Sequence, residues 1–83
     1  METSELLGIR GKTHGDFTLT AEISMGLKEW MEEQRSWKNL SPVQKEALHM
    51  IVHKIARILA GNADHKDHWD DISGYAKLVS DRL

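Results

Sequence analysis

The chain has no cysteine, and only one proline, one phenylalanine and one tyrosine among its 83 residues. Without cysteine there is no disulfide and no thiolate metal site. One domain of this length buries a thin core. Two routes to stability remain, close helix packing and association of copies. The low proline content and six glycines argue against a disordered chain. An excess of one charge is also missing. Eleven basic against thirteen acidic residues leave a net charge of −2, with no electrostatic case for nucleic acid or an anionic membrane. The chain lacks a basic recognition helix, which argues against DNA binding. No apolar run approaches the ~18 residues of a membrane span. Met1–Gly8 is acidic, and its apolar pair is too short for a signal peptide. The expectation is a cytoplasmic protein without membrane contact.

What is present is helical periodicity. Residues 1–15 show no period, and Gly8, Gly11 and Gly15 suggest a mobile N-terminal arm. Residues 16–83 read as a single helical domain. Asp16 or Thr18 caps a first helix to about Glu33, with Leu19, Ile23, Leu27, Trp30 and Met31 on one buried face. Gly26 within it costs helix stability and marks a close helix approach. Trp37, in a short connection, folds back on the core or faces a second subunit. Ser41, Pro42 and Gln44 form a capping box with proline at the first helical position. The second helix runs to Ala60 and stops at Gly61, the expected left-handed cap. Its apolar face, Ala47, Leu48, Ile51, Val52, Ile55, Ile58 and Leu59, is too wide for one neighbour. A third helix starts near Asp64 or Asp67, with Trp69, Ile72, Ala76, Val79 and Leu83 as its stripe. The short loop between the last two helices makes them antiparallel. The predicted fold is all-α, a three-helix arrangement built on an antiparallel helical hairpin and completed by oligomerisation, as a homodimer or higher.

Two groups of residues carry chemistry. Glu46, His49, His53 and Arg57 fall at steps of three, four and four, on one polar stripe of the second helix. Histidines one turn apart on one face are a common metal geometry. The same spacing also describes a solvated face with an i,i+4 pair. The second group is Asp64, His65, Asp67, His68, Asp70 and Asp71, four aspartates and two histidines in eight residues. Asp67 and Asp71 share a helix face, and two carboxylates one turn apart can hold a hard cation such as Mg²⁺. Acids in a first turn also stabilise a helix start, which accounts for Asp64 and Asp67 better than for Asp71. Counting back from the loop places Asp71 near Lys54 and Arg57, where an ion pair competes with a metal. Gly74, on the Asp67/Asp71 face, implies a close helix or a flat ligand.

Three pieces carry a resemblance: Gly11–Phe17, then Glu46-Ala47-Leu48 with Lys54–Leu59, then Asp67–Ile72 with Gly74–Leu78. The chain resembles a family of small phage and prophage proteins of unknown function. That family looks distantly similar to MazG-type all-α nucleotide pyrophosphohydrolases, which hold Mg²⁺ with acidic residues on two antiparallel helices. Asp71 fits the final Asp of their ExxD pattern, with His68 in place of its Glu. Glu46 and His49 take an ExxE-like spacing, with His for the second acid. The leading paired acids are absent, and imidazole in place of carboxylate favours softer ions than Mg²⁺. The resemblance implies a nucleotide- or metal-binding protein in the host cytoplasm, if active a metal-dependent pyrophosphohydrolase. Glu46, Asp67 and Asp71 would hold Mg²⁺ or Mn²⁺, Glu46, His49 and His53 would serve catalysis, and Lys54 and Arg57 would meet phosphate. The alternative is a non-catalytic phage protein that binds and inhibits a host protein, such as defence machinery, through the acidic segment Asp64–Asp71.

Overall fold

The computed structural model describes residues 16–83; the expected N-terminal arm lies outside them. The described residues form three helices and no strand: α1, Phe17–Glu32; α2, Pro42–Ala60; and α3, Lys66–Ser80. A short 3-10 turn, Trp37–Asn39, joins α1 to α2. The all-α arrangement on an antiparallel hairpin is as the periodicity predicts. None of the helices is long and apolar enough to cross a membrane.

The helix starts follow local chemistry. The Asp16 carboxylate accepts a hydrogen bond from the Thr18 amide at 3.3 Å. At α2 the capping box is complete: the Gln44 amide donates to the Ser41 hydroxyl at 3.1 Å, and the Ser41 amide donates to the Gln44 side chain at 2.9 Å. Together they satisfy two donors that a helix start leaves open. Gly61 departs from expectation, since its φ of −138° is not left-handed. The third helix is capped by neither aspartate. His65 holds the cap position without a side-chain capping hydrogen bond. The turn before it is set by Asn62, whose side-chain oxygen accepts from the Asp64 amide at 2.9 Å. The Trp69 indole donates to the Ala63 carbonyl at 2.7 Å, which ties α3 to the loop.

The second helix is the centre of the molecule. Both α1 and α3 pack on it, and they share at most a marginal contact with each other. Its buried apolar residues are Ala47, Val52 and Ala56. Ala47 and Ala56 are nine residues apart, so they point to opposite sides of the helix. The arrangement is therefore an open array rather than a closed bundle. Its radius of gyration, 14.3 Å, exceeds the ~11–12 Å of a compact chain of this size.

The face that α1 turns to α2 differs from the expected one. Thr20 and Ser24 are buried, with Leu27 and Met31 half-buried on the same stripe, whereas Leu19 and Trp30 are exposed. Two small side chains let α1 approach α2 closely, and this rotates the large apolar residues to one flank. At ~100° per residue that flank reads Leu19, Ile23, Gly26 and Trp30. The rotation has a fixed sense, because Lys28, on the opposite flank, lies near His53. By the same geometry, Leu48, Ile51, Ile55 and Leu59 of α2 and Trp69, Ile72 and Ala76 of α3 share the side of α1's apolar flank. One side of the array is thus apolar. The other carries Glu46, His49, His53, Asp67 and Asp71.

Among the described residues neither helical glycine has the close helix expected beside it. A side-chain carbon at Gly26 or Gly74 would meet nothing within 4 Å among the described residues. Among the described residues the only fully buried large side chain is His68, on the face that α3 packs against α2 and edge-on to His65 at 4.7 Å.

Candidate functional site

The polar side of the array is set by α2. Its stripe of Glu46, His49, His53 and Arg57 runs along the helix as predicted, and each member meets a different neighbour. His49 Nε2 lies 3.1 Å from the Glu32 carboxylate of α1. Its ring stacks on Trp37 at 5.2 Å between centroids. The Lys45 ammonium sits 5.9 Å above that indole. Trp37 therefore does fold back, and it holds His49 in place. His53 is half-buried, and burial is the main cause of its lowered pKa. The positive charges of Arg57, Lys28 and Lys54 lower it further. Its environment disfavours the charged imidazolium.

The other expected ligands are placed apart. The Asp71 carboxylate binds the Lys54 ammonium at 2.8 Å. Lys54 is mostly covered, its side chain 12% exposed. The hydrogen bond from Lys54, with its charge, holds the Asp71 carboxyl below the usual carboxylate range, helped by His68 and Arg57. Asp67 is 80% exposed, and the His65 imidazole stands 3.8 Å from its carboxylate. Asp70 pairs with Lys66 one turn earlier at 2.6 Å. Glu46 lines a shallow groove with Pro42, Val43, Ala47, Tyr75, Leu78 and Arg82, where the start of α2 meets the end of α3.

These positions decide whether a cation fits. Glu46 lies eight residues from Lys54 along α2, about 12 Å of helix rise. Asp71 is level with Lys54, and Asp67 is about 6 Å further from Glu46 along α3. Mg²⁺ and its ligand oxygens must meet within about 2.1 Å. Glu46, Asp67 and Asp71 of one chain do not converge on such a point. Among the described residues no group of three histidines or acids is placed to hold a metal ion. This residue set does not fit a single-chain metal centre. Lys54 and Arg57, expected at phosphate, instead have Asp71 beside them.

Sequence reasoning did not single out His68 as a core residue. Its position one turn before Ile72 on the α3 stripe was the available signal, obscured by the surrounding aspartates. Glu32 and Trp37, which orient His49, were also outside the expected site, because their contact crosses from α1 to α2. Compared with protein-family models, with curated proteins and with solved structures, the chain matches none, so the resemblance drawn above rests on its own residues.

Proposed function

We propose that this protein acts by binding another protein rather than by catalysis, with the acidic hairpin end as its recognition surface. The observation that carries the reading is the 2.8 Å ion pair between Asp71 and Lys54. It occupies the carboxylate that best fits a hydrolase pattern, with the cation best placed to meet phosphate. Glu46 stands at the far end of the hairpin. Asp64, Asp67 and Asp70 are exposed where α2 and α3 are joined. A partner that fits them has a basic surface. Opposite charge then sets encounter rate and register more than the final affinity. In the phage setting that the resemblance implies, the partner would be a host protein, inhibited by having its basic surface covered.

The test compares the unmodified chain with the triple variant Asp64→Asn, Asp67→Asn, Asp70→Asn. The expected result is one stoichiometric host partner, identified by mass and lost with the variant or in high salt. Metal-dependent release of pyrophosphate from a nucleoside triphosphate, abolished by Glu46→Gln or Asp71→Asn, would overturn it in favour of the MazG-like hydrolase.

A further inference from the structure

The apolar side of the array is the largest feature that the recognition reading leaves unexplained. Trp30 is 62% exposed, Trp69 54% and Leu59 64%, all on that side. The two indoles leave roughly 250–300 Å² uncovered between them. Leu59 and the 42% exposed Leu19 extend the uncovered area toward the ~800 Å² per partner of a standard interface.

We infer that a second copy of this chain covers this face, in a two-fold homodimer that buries the apolar sides against each other. Three observations select a second copy over another partner. The first is the core. Among the described residues three apolar side chains are buried, too few to hold three helices. The cover must be present whenever the chain folds, and the chain's own copy always is.

The second observation is shape. The Glu32–His49 pair fixes the register of α1 on α2, and the Asp71–Lys54 pair fixes that of α3. Counting from these pairs, Trp30 on α1 lies level with Ile51 of α2 and Ala76 on α3 level with His49, about 3 Å away along the helix. Gly26 on α1 lies level with Ile55, and Trp69 on α3 with Ala56. A two-fold parallel to α2 sets Trp30 over the partner's Ala76 and Trp69 over the partner's Gly26. A two-fold across α2 sets Trp30 over the partner's Gly26 and Trp69 over the partner's Ala76. Either way each indole meets a small residue. The open space at Gly26, which nothing among the described residues fills, takes a tryptophan.

The third observation is charge. The apolar side chains that make up this face carry no charge; Glu22, Glu29 and Glu33 border it on α1 beside Gly26, and the charged stripe of α2 and α3 faces outward. A two-fold parallel to α2, which sets α1 against the partner's α3, keeps those acids of the two copies apart. The inference is independent of the recognition reading, because the acidic hairpin end stays exposed in such a dimer.

Light scattering on the full chain after size exclusion tests it. The mass expected is about 19 kDa, twice the 9.5 kDa chain. Gly26→Arg is expected to weaken association at least tenfold. Gly74→Arg, the same change at an equally open helical glycine on the other side, is expected to leave the dimer intact. Dilution of the unmodified chain covers the case in which the Gly26 variant does not fold. Its mass should fall toward one chain as tryptophan emission shifts to the red. A monomer at every concentration would overturn the inference. So would a dimer that Gly26→Arg leaves unchanged, or one that Gly74→Arg breaks instead.

Discussion

Ser24 shows how a residue's role depends on what stands opposite it. Its hydroxyl is buried, with no hydrogen-bond partner among the described residues. A buried hydroxyl without a partner costs free energy that water would otherwise supply. The small side chain is nonetheless what lets α1 approach α2. Ser24→Ala keeps the size and removes the cost. Thermal denaturation should show a rise in Tm of about 4–8 °C, for a gain of about 1 kcal/mol. A fall would mean that the hydroxyl is satisfied. His53 makes a second prediction at this scale. Burial, then Arg57, Lys28 and Lys54, lower its pKa below 6.5, so the unfolded chain binds a proton there that the folded chain refuses. Stability then falls as pH drops below about 6.5, and the loss stops growing below the lowered folded-state pKa. The difference in denaturation midpoint between the unmodified chain and His53→Gln should shift in favour of the variant from pH 7.5 to pH 5, about the histidine range. No shift would mean that the imidazole titrates freely. Neither residue role was legible beforehand. Ser24 is polar and was assigned no face, and the charges around His53 come from two helices.

The elements were the most legible part, because caps and periodicity are local. The Ser41–Gln44 box, the proline at the helix start and the end of α2 at Ala60 all follow from neighbours in the chain. What periodicity did not give is the rotation of α1. Leu19 and Trp30 fit an apolar stripe, but close approach through Thr20 and Ser24 turned them aside. The start of α3 was read from aspartates, and the loop set by Asn62 placed His65 there instead. Gly74 supplies the prediction at this scale. It lies inside α3 with open space around it, so alanine there should gain about 1 kcal/mol of helix stability. Chemical denaturation of Gly74→Ala checks this. A loss would mean that something approaches that surface closely, the flat ligand or helix expected from the sequence.

At the scale of the molecule, the candidate site and the fold separate. The carboxylates thought to gather are spread along the hairpin: Glu46 in the groove at one end, Asp71 with Lys54 in the middle, and Asp67 in solvent at the other. Spacing along one helix shows which residues share a face. It does not show the level at which a second helix meets them, and here the levels do not match. The apolar excess of α2 was legible, since its stripe is too wide for one neighbour. Which side α1 and α3 leave open depended on the rotation of both. An array with so thin a core, completed by its own copy, should unfold and dissociate together. Its Tm must then rise with protein concentration. Thermal unfolding over a hundredfold range of concentration is the most direct test. The account predicts a steady rise in Tm, lost in Gly26→Arg; a Tm that does not move with concentration would contradict it.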